Sequence, residues 1–336
     1  MNVVVEFLHA NRERLDLTRH GVGDRIPTVV LTPRFRASRH VVVLVLSERG
    51  DPVLVVKVPR LAFDTSGIAS EFTILTALER NGGRPGVPRP VAFEEHHGVP
   101  LFVQTALRGR LLARPLARRR PVDWLESAAA WLATFPSTES SGEDAWDSLV
   151  ERPLRAFAPT VGEAWALDLV ERTLDVISPL RAATVLPLVL EHGDFGHPNV
   201  LVLPDGGLGA IDWELGEEHG LPAHDLAFFL MYLAIAGLRP ETAAGRRAAF
   251  DRAFVAPDGW GLPALRSYCE RVGVDAVLLP PLIVACFARY AARLVSRLAG
   301  GQEAHSELVR WLRDDRSCDL WRHALDRMAG RALGSS

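Results

Sequence analysis

The residue types that could do chemistry are concentrated in two short segments, His-Gly-Asp-Phe-Gly-His-Pro-Asn at 192–199 and Ile-Asp-Trp-Glu at 211–214. A strand-like run follows the first, another precedes the second, and the Asp-Gly between them favours a tight hairpin turn. If that dipeptide is the centre of the turn, Asn199 pairs with Asp212, and opposed residues have Cβ atoms about 5 Å apart. Amide and carboxylate oxygens side by side are hard ligands that suit Mg²⁺.

A third polar residue and one distant cation extend this set. Asp194 precedes Asn199 by five positions in a glycine-flanked loop, and Lys57 is the only lysine among the 38 lysines and arginines. Carboxylates, Mg²⁺ and a lysine are the components of phosphoryl transfer. The metal neutralises the phosphates, a carboxylate accepts the proton of the attacking hydroxyl, and a compact ammonium holds phosphate oxygens.

These motifs carry a family resemblance. The segment HGDFGHPN resembles the catalytic loop of the aminoglycoside phosphotransferase and choline kinase-like family, and IDWE resembles that family's metal-binding segment. PAHDLAFFL at 222–230 resembles the start of the helix that follows. The resemblance implies that Asp194 is the catalytic base and that Asn199 and Asp212 hold Mg²⁺. It also implies that Lys57 contacts the nucleotide phosphates and that Glu71 pairs with Lys57.

The resemblance further implies a nucleotide site. Residues 104–107, with Gln104 and Ala106, would be the hinge that reads the base through backbone groups. ATP is the expected donor, and GTP is the alternative because a backbone hinge reads the base only weakly. The first hairpin has no glycine between Val30 and Val41. Protein kinases grip the phosphates with glycines there, so Ser38 and nearby amides are expected to serve instead.

The elements that must position these residues change character along the chain. The first hundred residues read as β-branched strands at 28–31, 41–46, 53–58, 90–93 and 101–104. One helix, in SGIASEFTILTALERNGG and stopping at Gly82–Gly83, interrupts them after the third strand. Helical patterns dominate beyond residue 108. We therefore expect an α+β, two-lobed protein kinase-like fold. A small β-rich lobe with one helix would span 1–105, and a larger, mainly helical lobe would span 106–336.

Composition excludes several classes of function. The net charge of −3 gives no basic field for nucleic acid. The longest apolar run, 226–238, is too short to span a bilayer and reads as a buried helix. Three widely spaced cysteines indicate no disulfide framework, and the chain start does not read as a signal peptide. We predict a cytoplasmic protein whose partner is a small hydroxylated molecule, with neither nucleic acid nor membrane.

The acceptor is open at this point. IDWE is followed within a few residues by PAHD, which leaves no room for a protein-kinase activation segment, so a small-molecule acceptor is favoured over a protein. Candidates are antibiotics of the aminoglycoside, nucleoside or macrolide type and aminosugars, in resistance or natural-product biosynthesis. Choline, another amino alcohol or a sugar is the alternative.

Different classes of function are weighed against this one. A nucleotide-binding pseudokinase would fit the glycine-free hairpin. A zinc or iron hydrolase could use His192, Asp194 and His197 as ligands, but it leaves Lys57 unexplained. Lys57 itself could be an edge-strand or snorkelling lysine.

Four further expectations concern individual residues or small sets of residues. His192 should hydrogen-bond the loop backbone, and Asp225 should cap the helix that follows it. A capping box should open another helix at Asp123 and Glu126. The last set comprises Glu214, Glu217 and Glu218. These residues could form an acidic rim that attracts a cationic substrate, or they could lie in an ordinary solvated loop.

Overall fold

The chain forms two compact units. In the computed structural model the first unit joins Met1–Leu111 with Asn199–Gly216, and the second joins Leu112–Pro198 with Glu217–Ser336. Strands dominate the first and helices the second, which confirms the predicted α+β class. The boundary between residues 105 and 106 stays a prediction. The structure describes residues 3–32, 40–61, 64–256, 259–299, 312 and 315–332.

Five antiparallel strands form the main sheet of the first unit. They are β1 Thr28–Leu31, β2 His40–Leu46, β3 Pro52–Pro59, β4 Pro90–His96 and β5 Val99–Thr105. Their order across the sheet is β1-β2-β3-β5-β4. Leu54 and Val56 of β3 are fully buried, as is Leu101 of β5. The strands match the predicted β-branched runs because such side chains pack well on a pleated, half-buried surface.

Two helices accompany this sheet. Helix α2, Ser66–Arg80, follows the third strand as predicted. Helix α1, Val3–Ala10, was not predicted, although Val4, Phe7 and Leu8 have helical spacing and are buried in the sheet's core. The helix has eight residues, too few for periodicity to separate it from an irregular apolar patch.

A second, three-stranded sheet in the same unit contains the predicted hairpin. Its strands are β6 Arg110–Leu111, β9 Val200–Val202 and β10 Leu208–Ala210, in the order β10-β9-β6. Val200 pairs with Ala210, so Asn199 lies opposite Ile211, whose N–H donates to the Asn199 carbonyl at 2.9 Å.

The predicted pairing of Asn199 with Asp212 is therefore wrong by one residue. The turn holds three residues instead of two: Leu203 N–H donates to the Gly207 carbonyl at 2.9 Å. Gly206 lies in the turn with a φ of 86°. A third turn residue with a left-handed glycine is a common hairpin solution, and it shifts the register by one.

The part of the second unit that the structure describes consists mainly of ten α-helices and a small sheet. The sheet has the order β11-β8-β7, from β7 Ser137–Thr138, β8 Leu188–Glu191 and β11 Glu217–Gly220. The helices are α3 Arg114–Ala117, α4 Pro121–Leu132, α5 Gly142–Trp146, α6 Arg152–Val161, α7 Ala164–Ala182, α8 His224–Leu238, α9 Ala243–Phe250, α10 Leu262–Val272, α11 Leu279–Ala299 and α12 Arg316–Ala332.

The predicted capping box at Asp123 and Glu126 is wrong. Helix α4 begins at Pro121, and Arg120 stands at its N-cap without a side-chain cap. Proline is favoured in the first helical turn because its missing N–H would have no intrahelical partner there. Asp123 instead forms an ion pair with Arg120.

The apolar helices of the second unit are core elements. Helix α8 covers the predicted apolar run, and most of its side chains are buried, as expected. Among the described residues one helical segment, Ala276–Ala299, is long and apolar enough to cross a membrane, and 72% of its most apolar stretch is buried inside the protein. The predictions of no membrane and of a cytoplasmic protein stay predictions.

Candidate active site

Lys57 lies at the centre of a buried charge cluster in the first unit. It projects from β3, the middle strand of the main sheet, and is 3% exposed. Its Nζ donates to Glu71 Oε2 at 2.5 Å and to Asp212 Oδ1 at 2.6 Å. A buried, doubly paired ammonium on a central strand is neither an edge-strand nor a snorkelling lysine.

The cluster keeps this ammonium charged. Burial alone would lower the pKa of Lys57, but the carboxylates of Asp212 and Glu71 outweigh burial and raise that pKa above its usual range. Burial raises the pKa of Glu71 to about 7; the charge on Lys57 opposes this rise and that on Asp212 adds to it. The lysine is therefore a fixed positive charge at neutral pH, the form that can contact phosphate.

Glu71 and Gln104 form the inner wall of the cluster. Glu71 is on α2 and fully buried, and its Oε1 accepts from Gln104 Nε2 on β5 at 3.3 Å. The side chain of Gln104 thus positions the partner of Lys57, a contact that the hinge prediction did not include. Because the two oxygens of Glu71 face Gln104 and Lys57, α2 holds the lysine in one place.

The structure gives less support to the other two predicted nucleotide contacts, Ala106 and Ser38. The backbone N–H of Ala106 donates to the Val53 carbonyl at 3.0 Å, so Ala106 is tied into the sheet through its donor. This N–H is therefore already paired within the protein. Ser38 lies outside the described residues. Both nucleotide roles stay predictions.

Asp212 reaches Lys57 through an unusual backbone conformation. Its φ is 71°, in the left-handed region that asparagine and aspartate tolerate better than most residues. The chain therefore leaves the strand direction right after β10, and the carboxylate, about one third exposed, turns to the lysine. Such strain is a recurring feature of functional sites.

His40 is a neighbour of this site that the sequence did not reveal. It lies on β2, two residues before the partner of Lys57, and so faces the same side of the sheet. Its Nε2 is 3.7 Å from Asp212 Oδ1, and its Nδ1 is 3.6 Å from Glu214 Oε2. Only the strand pairing could have shown this proximity. Glu214, with its side chain 10% exposed, belongs to the cluster, so neither the acidic rim nor the solvated loop describes this residue.

The charges and donors of the first unit fit Mg²⁺. The carboxylates of Glu71 and Asp212 contact the Lys57 ammonium, and the carboxylate of Glu214 lies close to His40. Asn199, 4% exposed, supplies an amide oxygen next to β9. Carboxylate and amide oxygens are hard donors of the kind that this cation binds. The ligand roles of Asn199 and Asp212 remain predictions.

Asp194 belongs to the second unit, in the loop after β8. His192 Nδ1 accepts the Asp194 N–H at 3.3 Å, which confirms the predicted backbone role of this histidine. On the other side of the loop, the ring of Phe228 lies so close to Gly196 that an added Cβ would come within 3.1 Å. The His197 ring stacks on Tyr232 with centroids 5.8 Å apart. The loop is thus fixed by side chains at several points.

Asp225 holds the loop instead of capping its own helix. Its Oδ2 accepts the His192 N–H at 2.6 Å, and its Oδ1 accepts the Gly193 N–H at 2.9 Å. The N-cap of α8 is Ala223, without a side-chain cap, so the predicted cap is wrong. Without Asp225, two buried loop N–H groups would lack acceptors. Leaving them unpaired would cost more free energy than leaving the helix end without a side-chain cap.

The arrangement does not favour the metallohydrolase alternative. Among the described residues, two groups have ligand atoms close enough to share an ion: Glu6, His96 and His97, and His40 with Asp212 and Glu214. The proposed ligands of that alternative, His192, Asp194 and His197, are in neither group.

Comparisons with known proteins agree with this geometry. A family model described as "Phosphotransferase enzyme family" matches residues 34–266. A search among curated proteins found no match. The wild-type aminoglycoside 2'-phosphotransferase-IIIa in complex with GDP is similar in structure, with a TM-score of 0.50, 15% identity, and 97% of this chain and 99% of that chain covered.

Two further solved structures are similar. One is the ternary complex of streptomycin, ATP and APH(2'')-IIa, with a TM-score of 0.52, 13% identity, and 91% and 97% of the two chains covered. The other is a putative fructosamine-3-kinase from Haemophilus somnus 129PT, with a TM-score of 0.52, 10% identity, and 94% and 95% covered. At these identities the likeness concerns the fold, and it confirms the predicted kinase-like fold.

Proposed function

The chain belongs to the phosphotransferase enzyme family and is a kinase with an alcohol group as acceptor, and we propose that it moves the γ-phosphate of a purine nucleoside triphosphate to a small molecule. The observation that carries the proposal is the Lys57–Glu71–Asp212 cluster. It places a buried ammonium against the carboxylates of Glu71 and Asp212, and Asp212 is also the predicted metal ligand.

Each residue of the site would have a separate task. Lys57 would hold nucleotide phosphate oxygens, and Glu71 would keep its ammonium in place. Asn199 and Asp212 would hold Mg²⁺, which on binding would neutralise charge on the phosphates. Asp194 would orient the acceptor hydroxyl and take its proton. The short backbone bonds from His192 and Gly193 to Asp225 support a fixed position for that loop.

The donor and the acceptor are narrower proposals. One of the structurally similar proteins was solved with GDP and another with ATP, so both purine nucleotides are retained. An antibiotic or aminosugar acceptor is favoured because streptomycin is bound in one of these relatives. A sugar-derived amine or amino alcohol is the second candidate, supported by the fructosamine-3-kinase likeness.

Calorimetric titration of ATP and of GTP, each with and without Mg²⁺, tests the nucleotide site. Asp212→Asn removes the predicted metal ligand. Asp205→Asn is its matched control, because that exposed carboxylate lies in the turn of the same hairpin. Micromolar binding that needs Mg²⁺, weakens at least roughly tenfold in Asp212→Asn and is unchanged in the control supports the proposal.

Release of the nucleoside diphosphate then identifies the acceptor. A panel of aminoglycoside, nucleoside and macrolide antibiotics, aminosugars, fructosamines and choline covers the candidates. Release that depends on one class and is lost in Asp194→Asn assigns that class. Binding of the nucleotide without transfer to any of them would point to the pseudokinase, and no binding of either nucleotide would refute the proposed mechanism.

A further inference from the structure

A largely buried ion cluster lies directly before the loop that carries Asp194. Glu191 is the last residue of β8, and its side chain is 0% exposed. Its Oε2 accepts from Arg289 Nη1 at 2.7 Å, and its Oε1 accepts from Arg293 Nη1 at 2.8 Å. The Leu221 N–H adds a third bond, to Oε2, at 3.0 Å. Both oxygens of the carboxylate are therefore fixed by helix α11 and by the backbone next to β11.

The arginines hold Glu191 charged. Burial alone would raise the pKa of Glu191, but Arg289, with His224 and Arg293, outweighs burial and brings this pKa well below its usual range. The Arg289 side chain is also 0% exposed, and in the described part of the chain its Nε and Nη2 have no hydrogen-bond partner. Apolar residues of similar size are often as stable as a buried ion pair, so stability alone does not explain why this pair is here.

At the start of α8 the cluster lies next to Asp225, the other residue that holds the loop. His224 Nδ1 is 3.3 Å from Arg289 Nη1, and His224 Nε2 is 3.8 Å from Glu191 Oε1. The next residue is Asp225, whose carboxylate holds the two loop amides. Glu191 and Asp225 thus fix the loop from its beginning, one through β8 and the other through α8.

Helix α11 also reaches the other side of the same loop. Tyr290 follows Arg289 on this helix, and its ring packs against that of Phe228 with centroids 4.4 Å apart. Phe228 in turn lies against Gly196, two residues after Asp194. Helix α11 therefore contacts Glu191, before Asp194, through its two arginines. It reaches Gly196, after Asp194, through Tyr290 and Phe228.

We propose that Arg289 and Arg293, through Glu191, are positioning residues that hold Asp194 in its reactive geometry. The role of Asp194 as base rests on the proposed function, whereas the hold on the loop does not. Neither arginine is assigned a contact with substrate. Arg293 is the better probe because it is 16% exposed and spans two acids, Glu191 and, at 2.9 Å, Glu217.

The test uses three variants of the full-length chain. Arg293→Met keeps the apolar stem and removes the charge, and Arg293→Lys restores the charge with only one point of contact. Arg155→Met is the matched control, because Arg155 is an exposed arginine of α6 that also joins two acids, Glu151 and Glu171. Hydrogen exchange of the backbone amides is followed by mass spectrometry, together with the melting temperature.

In Arg293→Met we expect amides of residues 192–197 to exchange at least roughly tenfold faster, while those of helices α6 and α7 keep their protection. Arg293→Lys should lie between this variant and the wild type, and Arg155→Met should match the wild type. If exchange accelerates equally throughout the second unit, or not at all in the loop, the arginines have no positioning role. Because Arg293→Lys retains the charge, it keeps the comparison available if Arg293→Met fails to fold.

Steady-state kinetics separate this inference from the proposed function. With nucleotide and the acceptor found by screening, kcat of Arg293→Met should fall roughly 10- to 100-fold while KM for the nucleotide changes less than threefold, because a misplaced base slows chemistry and spares binding. An unchanged kcat would overturn the positioning role even if the loop exchanges faster. If the wild type transfers no phosphate, the proposed function fails, and exchange alone decides whether these residues hold the loop.

Discussion

Replacement of the single lysine tests the buried cluster most directly. Lys57→Met keeps most of the length of the side chain and removes the charge that faces Glu71 and Asp212. Asp212 is about one third exposed and can be solvated, whereas Glu71 is fully buried and cannot. The loss of stability should therefore come mainly from Glu71. Removing one partner of a buried pair costs about 3–5 kcal/mol, because the other charge stays uncompensated.

The magnitude is checked by urea unfolding, followed by the fluorescence of the eight tryptophans. At pH 8 Lys57→Met should lose about 3–5 kcal/mol of unfolding free energy, because Glu71 must then be buried either charged without its partner or protonated well above its ordinary pKa. The double variant Lys57→Met/Glu71→Gln should regain most of that loss, since it buries no charge and keeps an acceptor for Gln104. Neither variant should bind a nucleoside triphosphate with wild-type affinity.

Lys57→Arg is the control that retains the charge. The larger guanidinium must fit into a site that is 3% exposed, so overpacking of about 1–3 kcal/mol is expected in place of charge loss. In this variant Glu71→Gln should restore no stability. If Lys57→Met unfolds within about 1 kcal/mol of the wild type, or if the Glu71 substitution does not rescue it, the cluster is not a buried charge pair of the kind described.

Two further predictions concern the second unit. Burial, and to a smaller extent the charge on Glu191, raises the pKa of Asp225 to about 7 in the folded protein. Because this pKa lies above the value in the unfolded chain, the contribution of Asp225 to folding stability is complete at low pH and is lost as the pH rises to 7. Between pH 4 and 7 the unfolding free energy of wild type should fall relative to that of Asp225→Asn, by about 1.4 kcal/mol per pH unit in mid-window; parallel curves would contradict this. Gly142→Ala should lower stability by at least about 2 kcal/mol, because its Cβ would lie 1.7 Å from the Leu180 carbonyl. Gly237→Ala, in open space on α8, should do no harm, and equal unfolding midpoints for the two variants would refute the packing argument.

Much of the first unit could be predicted because its signals are local. The five strands of the main sheet and the helix after the third of them follow from β-branched runs and from apolar periodicity. Helix α1 was missed because eight residues give too few turns for a periodic pattern. The register of the β9–β10 hairpin was wrong because Asp-Gly is compatible with both two-residue and three-residue turns. A difference of one turn residue moves every pairing along the hairpin.

The residues of the candidate site divide in the same way. Lys57, Asp194, Asn199 and Asp212 stand out in the sequence because their chemical types are unusual in their surroundings and match known motifs. Glu71 was identified only through a resemblance, although the structure places it directly against Lys57. His40 and Gln104 could not be assigned their contacts, because these depend on which strands are neighbours in the sheet.

What the sequence determined by itself is thus the set of candidate residues: the side chains expected to supply the positive charge, the metal-binding oxygens and the base. The tertiary structure alone decided which charges meet. Glu191 is an ordinary acid at the end of a strand until α11, about a hundred residues later, brings Arg289 and Arg293 to it. Local sequence fixes backbone conformation through sterics and hydrogen bonding over a few residues. The partner of a buried charge is set by packing of elements far apart in the chain, where no local pattern records it.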